Sequence, residues 1–406
     1  MGHPRILAFV LAGGKGERLA PLTDFRSKPS VPFGGRYRIV DFVLSNLINS
    51  HIYSTYLLVQ YKSQSLIEHV RRNWVLSSMI REHFVTVVPP QMRMGPEWFQ
   101  GTADAVYQNI NLIQDHKPEL VLVFGADHIY RMDIRQMIDF HLEKGADVTV
   151  AARPVPLDQA SAFGVIATDR EHRITGFQEK PAHPVPMPDV PDRAYVSMGN
   201  YIFNRDILVK MLVHAQKKGQ HDFGKHIIPG LVGSGKVYSY DFATNGVPGT
   251  RPCEEPGYWR DVGTISAYFR AHMDMLGELP VFDLNNKRWP IYPAMHKEPA
   301  AQILSGVIRN SILSEGVTVQ NATIVNSVIR RDVVIQDGTA VEDCIIMDHT
   351  VIGKGCRLKG VIIDKYNTLP QGIVVDADSG KDVMDGRLCI DPSGIRIIPK
   401  PEIMIG

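Results

Sequence analysis

From residue 312 onward the chain repeats itself every 17 residues. Ile312, Ile329, Ile346 and Ile363 fall in one column, Thr318, Ile335, Ile352 and Leu369 in a second, and Ile324, Val341, Leu358 and Val375 in a third. Within a coil the columns are spaced six, six and five residues apart. Such a pattern leaves few folds open, because each coil can bury its inward side chains only against the coils above and below it. Three short flat strands per coil predict a triangular solenoid of about four coils. A fourth column, Asn321, Gly338, Gly355 and Gly372, holds residue types that tolerate the left-handed backbone of a tight turn. A β-sandwich with fortuitous spacing is the alternative, and eleven aliphatic residues in twelve positions count against it.

The first half of the chain reads differently. Residues Arg5 to Ala12 form a short apolar run that ends in Gly13-Gly14-Lys15-Gly16, as a strand covered on both faces would. Further apolar runs follow at Tyr56–Val59, Leu120–Phe124 and Val148–Ala152. Between them, Ala103, Val106, Tyr107 and Ile110 are spaced as an amphipathic helix, and so are Ile134, Met137, Ile138, His141 and Leu142. Strands alternating with helices predict an α/β, doubly wound and largely parallel sheet with its ligands beyond the carboxyl ends of the strands. Pro280, Pro290 and Pro293 punctuate a connector. The expected division is a Rossmann-like domain over 1–280, a linker over 281–300 and a β-helix over 301–406.

Composition narrows the function classes. Lys plus Arg number 44 against 43 for Asp plus Glu, so no basic excess points to nucleic acid, and phosphate binding must come from local clusters. No apolar run approaches the ~20 residues that cross a bilayer, and the N-terminus lacks the h-region of a signal peptide. Cys253, Cys344, Cys356 and Cys389 form no C-x-x-C pair, so neither a zinc site nor a disulfide framework is expected. A cytoplasmic protein without membrane or nucleic-acid partners is the expectation.

Five segments carry candidate chemistry. Leu11-Ala12-Gly13-Gly14-Lys15-Gly16-Glu17-Arg18-Leu19 offers glycines that let backbone N–H groups face a polyphosphate, with Lys15, Arg18 and Lys28 as cationic side chains. It is neither a P-loop nor the G-x-G-x-x-G dinucleotide fingerprint, which would need a glycine at Leu19. Asp127, in Phe124-Gly125-Ala126-Asp127-His128, follows an apolar strand, where a carboxylate can hold Mg²⁺ against phosphates or simply cap a helix. Asp261, in Tyr258-Trp259-Arg260-Asp261, is a possible second carboxylate or a loop residue. Gly164 with Glu179-Lys180-Pro181, and Ser197 ahead of a strand, fit a sugar-phosphate pocket, although Lys180 read alone is a solvated turn. The histidines show no metal-ligand cluster, and His221 and His226 in H-D-F-G-K-H read as surface or packing residues.

Taken in order, these motifs resemble the glucose-1-phosphate adenylyltransferases, the ADP-glucose pyrophosphorylases. The resemblance spans nearly the whole chain. It includes the glycine loop, Lys28-Pro29, F-G-G-R-Y-R-I-V-D-F at 33–42, G-T-A-D-A-V-Y-Q-N at 101–109, F-G-A-D-H at 124–128, F-Q-E-K-P at 177–181, S-M-G-N-Y-I-F at 197–203 and Y-W-R-D-V-G-T at 258–264. The resemblance implies a nucleotidyltransferase domain followed by a left-handed parallel β-helix. It implies ATP and α-D-glucose 1-phosphate as substrates, ADP-glucose and pyrophosphate as products, and a place in bacterial glycogen synthesis. By position it puts glucose 1-phosphate near Phe99, Gly164, Glu179, Lys180 and Ser197, and the nucleotide near Leu11 to Gly16, Gly101 and Thr102. It gives Asp127, Lys28 and Arg18 catalytic roles and assigns Mg²⁺ to Asp127 and Asp261. It further implies a homotetramer with small-molecule allosteric effectors.

Two positions depart from the family pattern. Phe99 stands where relatives have Tyr, which removes one hydroxyl from the sugar pocket. Phe25 stands where some activator-responsive relatives have a basic residue, and it cannot hold a phosphate by charge. Rival readings are a uridylyl- or thymidylyltransferase, a β-helix acyltransferase using His349, or a regulatory subunit without turnover.

Overall fold

In a computed structural model, the apolar run after Arg5 forms the strand Ile6–Ala12, the middle of a nine-stranded sheet. Residues 4–401 are described, apart from 78, 81, 94, 296, 379, 381 and 384–386. Ser54–Val59 and Leu120–Gly125 flank the central strand in parallel, and Phe84–Val88 extends the parallel half. Successive side chains of a strand point to opposite faces, and the strand feeds two cores accordingly. Ala8 and Val10 pack with helices Ile39–Asn49, Gln64–Asn73 and Ile134–Glu143, while Leu7 and Phe9 pack with Thr102–Tyr107 and Arg205–Lys217. The sheet is therefore wound on both faces.

Its other half is mixed. The long strand Arg193–Asn204 runs antiparallel to Leu120–Gly125, Val148–Pro156 and Gly164–Thr168. The last of these forms a hairpin with Ile174–Glu179. The helix expected through Ala103 to Ile110 is two helices, Thr102–Tyr107 and Ile110–His116. Asn109, at φ −112° and ψ 21°, breaks the first, and its side chain turns back to bond the Ala105 carbonyl at 2.8 Å.

The repeat folds as a left-handed β-helix of three parallel sheets. One column holds throughout: Ile324, Val341, Leu358 and Val375 pair in register. In the other two, the first coil is one residue out. Val319, not Thr318, pairs with Ile335, and Leu313, not Ile312, pairs with Ile329. Val319 is fully buried, so the aliphatic neighbour took the inward place that the 17-residue spacing gave to a threonine. The turn column is as read: Asn321, Gly338, Gly355 and Gly372 have φ of 43°, 72°, 66° and 75°.

The segment just after the glycine loop is packed on this β-helix. Leu19, Leu22, Val31 and Phe33 share one core with Ile345, Met347, Ile362 and Ile397. The buried Arg26 bonds both oxygens of Asp364 at 2.8 and 2.7 Å. Arg330 reaches back to the carbonyls of Phe33, Gly34 and Tyr37 and is itself held by Asp348 at 2.7 Å. Residues between the two halves lie along helix Ile39–Asn49: Asn49 donates to the Pro290 carbonyl, and the Tyr292 N–H donates to Ser45 Oγ, both at 2.9 Å.

Candidate active site

At the carboxyl end of Ile6–Ala12 the chain leaves the sheet and opens a cavity of about 750 Å³. The N–H groups of Gly13 to Gly16 donate to no other described residue and border this space. Gly16 must be glycine: its φ is +69°, and a Cβ there would lie 3.0 Å from the Lys28 Cβ. That close approach brings Lys28, on a short 3₁₀ turn, under the loop. Lys15 and Arg18 have side chains 66% and 70% exposed at the cavity rim, and Lys15 stands 3.6 Å from Glu17.

Asp127 and Asp261 are 134 residues apart in the chain and meet through a two-stranded antiparallel ladder. His128–Tyr130 pairs with Trp259–Asp261, and Asp261 lies directly opposite His128, the neighbour of Asp127. Lys28 Nζ sits between the two carboxylates, 3.0 Å from Asp127 Oδ2 and 2.8 Å from Asp261 Oδ1. Arg18 stands 3.9 Å from the other oxygen of Asp261. Burial alone disfavours the charged form of Asp127, but the Lys28 ammonium and His128 outweigh it and hold the carboxyl well below the usual range. Burial likewise disfavours the Lys28 cation, and the two carboxylates overcome it and raise its pKa.

The donor set suits a hard divalent cation. Donor atoms of Asp127, His128 and Asp261 lie within 4.8 Å of one another, and the Asp127 side chain stays 39% open toward the cavity. Two carboxylates beside the open N–H groups of the glycine loop fit a divalent cation.

A second wall of the cavity is built on the hairpin and the long strand. Gly164 and Glu179 are cross-strand partners, and a Cβ on Gly164 would press on the Phe177 ring at 2.8 Å. Lys180 has φ of 49°, a left-handed conformation uncommon outside glycine and often found at ligand sites. Its Nζ is 3.8 Å from Glu179. The strand Arg193–Asn204 shifts register between Ser197 and Tyr201, with Gly199 at φ +70°, and this irregularity brings Ser197 to the cavity wall. Phe99 is fixed by its backbone: its N–H donates to Gln60 Oε1 at 2.7 Å, and Gln60 Nε2 donates to its carbonyl at 3.2 Å. Gly101 lies against the His221 carbonyl, which also accepts from the Ala103 and Asp104 N–H groups at 2.8 and 3.2 Å.

Leu11, Ala12, Gly13, Gly14, Lys15, Gly16, Arg18, Lys28, Phe99, Gly101, Thr102, Asp127, Gly164, Glu179, Lys180, Ser197 and Asp261 all line this one cavity. Among the lining residues to which sequence reasoning gave no role are Gln60, His128, Asp222 and Trp259. Asp222 accepts from Thr102 Oγ1 at 3.1 Å and caps the turn Phe223–Ile227 through the Lys225 N–H. Its capping position between two histidines was the available signal. His349 lies elsewhere, stacked on Tyr366 in a β-helix turn with ring centroids 5.0 Å apart. Phe25 is near the β-helix, half-exposed beneath the Lys400 ammonium.

Comparison with known proteins agrees with this geometry. A family model described as nucleotidyl transferase matches residues 7–278, and one described as GlmU-like, C-terminal hexapeptide matches residues 294–398. The chain is 64% identical to a glucose-1-phosphate adenylyltransferase of Thermodesulfovibrio yellowstonii, over 98% of this chain and 96% of that protein. It is 46% identical to one from Anaeromyxobacter sp., over 98% of both chains, and 44% identical to one from Photobacterium profundum, over 97% of this chain and 98% of that protein. Nucleotidyl transferases of this kind generally use divalent metal ions. Among the described residues, no helix is long and apolar enough to cross a membrane. With the glycine loop, the paired carboxylates and the β-helix all in one chain, the protein belongs to the glucose-1-phosphate adenylyltransferase family of nucleotidyl transferases.

Proposed function

We propose that the chain transfers the adenylyl group of ATP to α-D-glucose 1-phosphate, forming ADP-glucose and releasing pyrophosphate. The observation that carries this reading is the meeting of Asp127, Asp261 and Lys28 beside the open N–H groups of the glycine loop. Both substrates are anions, so their repulsion must be offset before a phosphate oxygen of the sugar can attack the α-phosphorus in line. Positioning and electrostatic stabilisation suffice, with no covalent intermediate on the protein.

Each residue has one task in this scheme. The N–H groups of Gly13 to Gly16, with Lys15, hold the triphosphate, and Gly101 and Thr102 border the nucleotide. Lys28 and Arg18 steady the departing pyrophosphate. Lys180 neutralises the sugar phosphate, while Phe99, Gly164, Glu179 and Ser197 orient the sugar. Asp127 and Asp261 would hold Mg²⁺, which when bound would supply neutralisation of phosphate charge worth several kcal/mol.

Phe25, half-exposed beneath the Lys400 ammonium beside the β-helix, supports small-molecule effector binding there, with a ligand that does not rely on charge at Phe25. Ile303, Leu304 and Val307 leave the first coil apolar and exposed, which supports self-association, a homotetramer by analogy with the family. The working division is a catalytic unit over 1–280, a connector over 281–300 and a β-helix over 301–406. Four unpaired cysteines suit a reducing compartment such as the cytoplasm.

The test is pyrophosphate release from purified chain given glucose 1-phosphate with ATP, UTP or dTTP in turn. ATP should be preferred by about tenfold or more, the size of one well-placed discriminating contact. Equal turnover with UTP overturns the choice of base, and no release with any nucleotide overturns the reaction.

A further inference from the structure

We propose that a basic hollow between helix Arg205–Lys217 and the turn Phe223–Ile227 is a second anion site, which takes a small ligand carrying two phosphoryl groups. The hollow shares no lining residue with the catalytic cavity, and the inference stands independently of the reaction proposed above.

The floor of the hollow is firm. Leu212 and Ala215 of the helix are buried in one core with Ile227 and Ile228. Helix and turn also touch at the base, where a Cβ on Gly230 would lie 3.6 Å from Met211 Cε. The space above is about 680 Å³, within the range of small-molecule pockets.

Its walls carry one sign of charge. Lys210, His214 and Lys217 are spaced i, i+4 and i+7, on one face of the helix. Lys218 follows at the helix end, and Lys225 and His226 stand on the turn. No Asp or Glu lines the space, and among the described residues none of the four lysines forms an ion pair. The whole chain has 44 Lys plus Arg against 43 Asp plus Glu, so this excess is local. Lysines at a helix C-terminus complement its dipole, which accounts for Lys217 and Lys218. It does not account for Lys210, two turns earlier, or for Lys225, on a separate segment.

The turn is held in place from its own start. Asp222 Oδ1 accepts from the Lys225 N–H at 3.0 Å, and His226 Nδ1 accepts from the Asp222 N–H at 3.2 Å. With Nδ1 an acceptor, the neutral ring carries its proton on Nε2 and adds one more donor.

Charge then sets the ligand class. A concave wall of one sign concentrates counter-ions. A phosphomonoester carries about −1.5 to −2 at neutral pH, so two of them balance four ammonium groups.

The deciding experiment is a lysine acetylation footprint of the full-length chain, read by mass spectrometry, with propane-1,3-diol bisphosphate as the probe. Lys210, Lys217, Lys218 and Lys225 should be protected together, and the protection should fade as salt is raised. Glycerol 1-phosphate, with one phosphoryl group, should need about tenfold more ligand for the same effect, because it lacks the second, tethered contact. In the double variant Lys210→Glu/Lys225→Glu, both positions being exposed, protection of Lys217 and Lys218 should vanish. Protection confined to Lys15 and Lys28 would place the probe in the catalytic cavity and overturn the second site, as would no protection at all. Equal potency of the two probes overturns the assignment to a bisphosphate. The native footprint decides the site even if the variant does not fold.

Discussion

Arg26 donates to both carboxylate oxygens of Asp364, at 2.8 and 2.7 Å, although 338 residues separate them in the chain. Arg26 is 5% exposed and Asp364 fully buried, so the pair lies in the seam between the catalytic half and the β-helix, two positions before Lys28. Removing one member of a buried pair strands the other charge. Asp364→Ala should lower unfolding free energy by roughly 3–5 kcal/mol in urea titration. A loss under about 1 kcal/mol, the range of surface pairs, would place the interaction in solvent instead.

Asp127→Asn keeps the shape of the side chain and removes its charge. By comparison with the loss of one preorganised transition-state donor, turnover should fall by about 10²-fold or more while circular dichroism stays native. Near-native turnover in the folded variant would take Asp127 out of the reaction.

Lys28→Met removes the cation between the carboxylates, and the consequence depends on pH. Asp127 titrates below the ordinary aspartate value of about 3.9 in the native state, so its share of the stabilisation is present above that pH and lost as pH falls through the lowered value. Lys28 titrates above the ordinary lysine value of about 10.4, so its share is present below that pH and lost as pH rises through the raised value. The gap in urea midpoint between native and Lys28→Met chains should be flat from about pH 5 to 9 and narrow below about pH 4. A gap that widened on acidification would contradict the pairing.

Gly101→Ala drives a methyl group into the His221 carbonyl, which already serves two N–H donors and cannot retreat without breaking them. Overpacking of this kind costs about 1–3 kcal/mol, and here the strain falls on the mouth of the proposed nucleotide pocket. The KM for ATP should rise more than that for glucose 1-phosphate. A neutral effect on both thermal midpoint and KM would show that the two backbones are free to part.

Lys180→Ala should raise the KM for glucose 1-phosphate with little change in kcat, as loss of uniform binding does. Its left-handed φ of 49° means that alanine, too, sits in strained backbone, so Lys180→Gly serves as the control for backbone effects. If only the KM for ATP moved, the sugar and nucleotide ends of the cavity would be exchanged.

Much of this was legible beforehand because the features are periodic or chemically marked. Glycine turns recur at Gly338, Gly355 and Gly372, and the site's glycine loop and carboxylates stand next to apolar strands. The slip at Val319 was not legible: Thr318 and Val319 are adjacent β-branched residues, and spacing cannot say which one faces inward until the coil above is packed. Gln60 and Asp222 escaped notice because they work through backbone partners at Phe99 and Phe223–Ile227 that only the folded chain brings near. Arg26, Arg330, Asp348 and Asp364 look like surface charges in a turn-rich sequence, and nothing local announces that they meet in a dry seam.

The shared core of Leu19, Leu22 and Phe33 with Ile345, Met347 and Ile362 means that the β-helix is no detachable appendage. A chain cut within the connector would expose that oily surface on both fragments, directly under the segment that carries Lys28. Grafting this catalytic half onto a foreign partner would therefore require carrying the whole seam along, and random shuffling of such halves should yield aggregates more often than hybrids.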